Sequence, residues 1–239
     1  MGADYTASES QQYRDAFGTV RAAKNWFWWL ILISVLVQLG GFAAVRFGGV
    51  IDDAPIVKHL LSDGAAAGPA TTKPAERADE HDGTVSAEVW YETLAWVFPA
   101  TKFIATVSGL LLLLVMQLAV AISLVGRSGG AGKFASAFFW SLLLWVLLIP
   151  WQQVGTFRST FACGALWNLQ ELVKHTAEVT WGAKDVPLLT QIFYYARFVA
   201  YPALAILVAI IVQVRFARGW LQTLAALSPV GSSSDTVKM

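Results

Sequence analysis

Cysteine is all but missing from this chain: Cys163 stands alone. A single thiol excludes an intramolecular disulfide, a CxxC redox pair and a zinc–thiolate cluster. It also excludes the quinone-linked disulfide-forming membrane enzymes, which need a cysteine pair. Charge is scarce too. Asp, Glu, Lys and Arg supply 14% of residues and apolar types 56%, against about 25% and roughly 45–50% in soluble domains. With a net charge of +1 the chain lacks the basic bias that nucleic-acid binding needs. No cleavable leader is indicated, because residues 1–24 are polar and include Asp4, Glu9 and Asp15.

What is abundant is uninterrupted apolar sequence. Asn25–Val45, Phe103–Gly126, Phe134–Phe157 and Phe198–Val214 contain no Asp, Glu, Lys, Arg or His, and run for 21, 24, 24 and 17 residues. A hydrocarbon core about 30 Å thick takes about 20 helical residues, with a range of roughly 17–25. Each run is bracketed by basic residues, Lys24/Arg46, Lys102/Arg127, Lys133/Arg158 and Arg197/Arg215. Such side chains can snorkel to the headgroups. The expected fold is therefore an all-α integral membrane protein with four transmembrane helices, at 25–46, 102–126, 134–157 and 189–215. Short amphipathic interfacial helices are expected in its long loops.

The connections suggest an orientation. The link 127–133 is short and acid-free, and Arg215-Phe216-Ala217-Arg218 is purely basic, whereas the loops 47–101 and 158–188 hold twelve of the sixteen acids. The positive-inside rule then puts both termini and the link in the cytoplasm of a plasma membrane of the bacterial inner-membrane type. Tryptophans at span ends agree: Trp26, Trp28, Trp29, Phe138, Trp140 and Trp220 suit an inner aromatic belt. Trp96, Phe98, Trp151, Phe157, Trp181, Tyr194 and Tyr195 suit an outer one.

Along the chain, Thr6-Ala7-Ser8-Glu9 reads as a capping box. It opens a helix in the amphipathic segment 1–24 whose Tyr13, Phe17 and Val20 share a face, expected to lie on the inner membrane surface and to run into the first span. Gly40, Gly41 and Ala44 form a small-residue helix-packing surface. Asp53-Ala54-Pro55 looks like a helix start, and 63–83, which contains His81 among acids, looks like a flexible loop. Pro99 is expected to break or restart the helix entering the second span, and Pro150 and Pro202 to kink the third and fourth. The tail 216–239 is a short surface segment followed by polar sequence.

Polar residues inside the spans are the functional candidates. Gln38 and Gln117 are placed by helical rise to meet between the first two spans. Arg197 is either the outer bracket of the fourth span or a charge buried roughly 13 Å deep. A buried Arg197 needs an acceptor, with Gln152, Gln153, Glu88 and Glu92 nearest by depth. On an amphipathic helix expected over 164–180, Glu171, His175 and Glu178 project from one side at i, i+4 and i+7. Two carboxylates and an imidazole could ligate a metal, but the wheel turns them toward solvent. No catalytic constellation or cofactor signature stands out.

Three functions follow in order. The first is a non-catalytic scaffold or accessory subunit that packs against other membrane subunits or its own copies. The second is an oligomeric channel or small-solute transporter. The third is a metal-dependent enzyme on the Glu171/His175/Glu178 face. In all three the lipid bilayer is the surrounding partner.

Overall fold

A computed structural model describes residues 2–47, 87–126, 130–151, 164–177, 179 and 187–227, which are helical with no strand among them. The helices are α1 (Gly2–Phe47), α2 (Ala87–Val125), α3 (Ala131–Leu148), α4 (Leu169–Thr176), α5 (Leu188–Tyr195) and α6 (Tyr201–Leu227), with a π-helical turn Ala196–Ala200 joining the last two. Four segments are long and apolar enough to cross a membrane: Gln11–Phe47, Val89–Val125, Ala131–Leu148 and Leu188–Ala225. The protein is an all-α, multi-pass membrane protein.

The register of α1 against α2 explains much of the rest. Gly41 meets Phe98, Gln38 bonds Thr101, and Tyr13 lies against Gly126. The two residue numbers in each pair add to the same total, so the helices run antiparallel in one unbroken register. The end of α2 is therefore level with Tyr13 and not with Lys24, eleven residues or about 16 Å away along the axis. Lys24 and the end of α2 are thus staggered. The N-terminal segment runs into the first span, as expected, as one helix from Gly2 to Phe47. Its apolar face finds protein rather than headgroups: Phe17 stacks on Phe134 at 5.5 Å and meets Trp220 edge-on at 5.9 Å.

Gly40 and Gly41 have opposite roles. A Cβ on Gly41 would come within 2.5 Å of the Phe98 ring, whereas one on Gly40 would meet nothing within 4 Å. Gly41 makes the close contact between α1 and α2, while Gly40 and, in part, Ala44 face outward. Phe98, expected in an aromatic belt, is core because Gly41 leaves room for it. Pro99 does not break α2, which is continuous from Ala87 to Val125. Thr101 Oγ1 bonds the carbonyls of Val97 (2.9 Å) and Phe98 (3.0 Å) in the turn around the proline.

The third span departs most from expectation. α3 ends at Leu148, about 27 Å long, and Pro150 terminates it instead of kinking it. A residue before proline is pushed out of the helical region, and Ile149 is extended at φ −66°, ψ 129°. The carbonyls left open all find donors. Ala165 N–H donates to Leu147 O (2.8 Å), Thr106 Oγ1 to Leu148 O (3.2 Å) and Trp151 Nε1 to Val146 O (2.9 Å). The donors expected there, Gln152 and Gln153, lie outside the described residues. Chain from the second long loop thus dips into the end of the bundle. Ala165, Leu166 and Trp167 are buried, completing a span too short to satisfy its own backbone at membrane depth.

The core is continuous. Phe17, Ile31, Leu112, Met116, Phe134, Leu144, Val212 and Phe216 fill the space between the helices, and Leu148, Ala165 and Leu166 extend it to the far end. The helices expected around Pro55 and the 63–83 loop lie outside the described residues, as do Cys163, His81, Arg158 and Trp181.

Candidate functional site

Polar chemistry concentrates at the end of the bundle where α4 caps α1, α2 and α5. The helix in this loop is shorter than expected: Gly164–Asn168 is non-helical, and α4 begins only after Asn168, whose backbone is extended at φ −95°, ψ 149°. Leu169, Leu172, Val173 and Thr176 face inward onto Phe42, Phe98, Trp167, Tyr194 and Phe198, a second apolar cluster. Phe42 stacks on Phe198 at 6.1 Å, and Trp167 meets Phe198 edge-on at 5.2 Å. Thr176 Oγ1 and Tyr194 OH are 2.8 Å apart and share a hydrogen bond. Tyr194, expected at headgroup level, is therefore interior.

Charged contacts fasten this cap. Arg197 forms an ion pair with Glu171, and the two side chains are only 18% and 21% exposed. Lys102 Nζ donates to Asn168 Oδ1 at 2.7 Å. Arg197 is thus partly buried, and its acceptor is Glu171 rather than Glu92; Gln152, Gln153 and the side chain of Glu88 lie outside the described residues. The reason lies in the turn that carries it. Pro202 has no N–H and its ring crowds the carbonyl four residues back. The chain responds with a π turn in which Tyr201 N–H reaches Ala196 O, and such a bulge inserts one residue into the helical repeat. Tyr194, Phe198 and Pro202 are then buried four apart, and Ala205, Ala209, Val212 and Phe216 follow at alternating four and three. The extra residue moves α5 by about 100° around the axis relative to α6. Pro202 therefore acts through a bulge upstream of itself.

The proposed metal face is used differently from what its spacing suggests. Glu171 is engaged by Arg197, the His175 ring lies 6.1 Å from Phe198, and Glu178 is outside the described residues. Among the described residues no group of three His, Cys, Asp or Glu could hold a metal ion. Instead the cap is rich in donors. Among the described residues, the Nε atoms of Arg46 and Arg197 and the Trp167 indole nitrogen are buried without hydrogen-bond acceptors.

The two intramembrane glutamines do not meet. Gln38 is fully buried, and its Nε2 donates to Thr101 Oγ1 at 3.2 Å and Phe98 O at 3.4 Å, while its Oε1 has no donor among the described residues. Gln117 is exposed on the opposite side of α2. Placing them by distance from their basic brackets fails because the end of α2 is not level with Lys24.

Two of the bracketing cations are interior residues. Lys24 and Lys102 are 2% and 5% exposed and turn into the bundle. Lys24 Nζ donates to Gln213 Oε1 and sits 4.7 Å from the Phe216 ring centre. Gln213 Nε2 in turn reaches Asn25 Oδ1 at 3.5 Å, and Trp28 Nε1 donates to Ala209 O at 2.9 Å. The polar residues Asn25 and Gln213, each at the edge of an apolar run, were the signal in the sequence.

Compared with protein-family models, curated proteins and solved structures, the chain matches none of them.

Proposed function

We propose that this protein is a non-catalytic membrane scaffold or accessory subunit, working by packing against partner subunits. We place it in a plasma membrane of the bacterial inner-membrane type, with both termini cytoplasmic and the α4 cap outside. The observation that carries the reading is the continuous apolar core from Phe17 to Leu166, together with the use of three inward-turned cations as fasteners between segments. Lys24 holds Gln213, Lys102 holds Asn168 and Arg197 holds Glu171. A solute pathway or a catalytic centre needs polar groups directed at a vacant space, whereas these are spent on one another. The positive-inside distribution supports the orientation.

The test is mass determination after extraction in mild detergent, by light scattering and native mass spectrometry. An assembly larger than one chain is expected. A monodisperse single chain would overturn the proposal. Solute flux in liposomes, lost in an Arg197→Ala variant, would favour the channel reading instead.

A further inference from the structure

The outward side of α2 is unlike an ordinary lipid-facing surface in two ways. The first is depth. In the register set by Gly41–Phe98 and Tyr13–Gly126, Leu124 lies level with Asp15 of α1 and Leu118 with Arg21. Over this stretch α1 exposes Arg14, Asp15, Thr19 and Arg21, while its neighbour α2 exposes Leu118, Ala121, Leu124 and Val125. Charged side chains mark where hydrocarbon ends along α1. A tilt of about 20° between helices about 10 Å apart shifts their levels by only ~4 Å, far less than the 16 Å or so of stagger. Lipid tails do not cover both helices at these levels.

The second is pattern. Within the exposed face of α2, positions 107, 110, 114, 117, 121 and 124 form a line that alternates three and four apart, the spacing with which a helix packs along a single seam. Five of the six are Val, Leu or Ala. The sixth, Gln117, has no hydrogen-bond partner among the described residues. A lone amide in an apolar seam sets register and partner number. Gln also complements itself, since one amide both donates and accepts. A twofold axis along the membrane normal brings two Gln117 side chains to the same depth and lays the same leucines against each other.

We propose that a second copy of this chain docks here, α2 against α2 in parallel, with Gln117 bonded to Gln117 across the axis. This rests on the reading of the protein as one that works by packing, and it names the partner.

Single cysteines placed on the full-length chain in a Cys163→Ser background, oxidised in native membranes, test it. Disulfide-linked dimers are expected at Leu110, Leu114, Gln117 and Ala121, where seam positions bring Cβ atoms within bonding reach. Yields at Trp26 on α1 and Phe139 on α3, which are more exposed than Leu110 and Leu114, are expected to be several-fold lower. Gln117→Leu is expected to weaken dimerisation roughly three-fold, the average for one interhelical hydrogen bond in a membrane, and Gln117→Asn to retain it. Equal yields at Trp26 or Phe139 would overturn the α2 interface. So would an assembly that contains a different polypeptide but shows no α2 crosslinks, although the scaffold reading would then stand. A monomer by mass would overturn both.

Discussion

Two adjacent glycines provide a sharp test of the packing between the first two spans. Gly41→Ala would place a methyl 2.5 and 2.6 Å from two atoms of the Phe98 ring. Ordinary carbon–carbon contact is about 3.5–4.0 Å, so the ring or the helix must retreat by roughly 1 Å. Phe98 is itself enclosed and cannot swing away freely. The neighbouring hydrogen bonds from Gln38 to Thr101 and Phe98 O are long already, at 3.2 and 3.4 Å, and do not survive a further ångström. Overpacking of this kind costs about 1–3 kcal/mol, to which the loss of the Gln38 bonds adds about 1 kcal/mol. Against this, Ala recovers at most about 1 kcal/mol of helix propensity. The expected net loss is about 1–3 kcal/mol. Gly40→Ala gains the same propensity and meets open space, so it is expected to be neutral or slightly stabilising. Thermal unfolding in mild detergent, followed by tryptophan fluorescence, separates the two. Equal midpoints for the two variants would refute the register on which the fold description rests.

Other substitutions probe the cap and the buried cations. Glu171→Gln is expected to destabilise by about 1–3 kcal/mol, discounted for its partial exposure. A cycle with Arg197→Gln should show the double variant less destabilised than the sum of the singles; strict additivity would show that the pair does not hold the cap. Pro202→Ala lets the π turn relax to an α-helix, rotating Arg197 away from Glu171. Faster protease cleavage of the second loop is expected, and unchanged cleavage would dissociate the bulge from the ion pair. Gln213→Leu leaves the Lys24 ammonium facing apolar side chains, and a loss of about 1–3 kcal/mol is expected. Lys24→Met in the Gln213→Leu background should restore part of it in the same unfolding assay.

The fold class was legible in the residues alone. Four charge-free runs of membrane length leave a chain little choice but helices, because no water is present to satisfy an open backbone. The basic residues at their ends, and the amphipathic pattern around Glu171 and His175, were legible for the same reason: composition and period are local properties. Depth was not. Snorkelling treats Lys24, Lys102 and Arg197 alike, as cations reaching for the surface, yet all three bond inward to Gln213, Asn168 and Glu171. Which way a long side chain turns depends on what another helix puts beside it. That is set by register, and register comes from contacts such as Phe98 on Gly41 and Tyr13 on Gly126, between residues far apart in the chain. Proline followed the same division. Its missing N–H is evident in the sequence, but only neighbours decide the outcome. Pro99 is carried within a helix, Pro150 ends one whose open carbonyls Thr106, Ala165 and Trp151 satisfy, and Pro202 widens a turn that carries Arg197 beside Glu171.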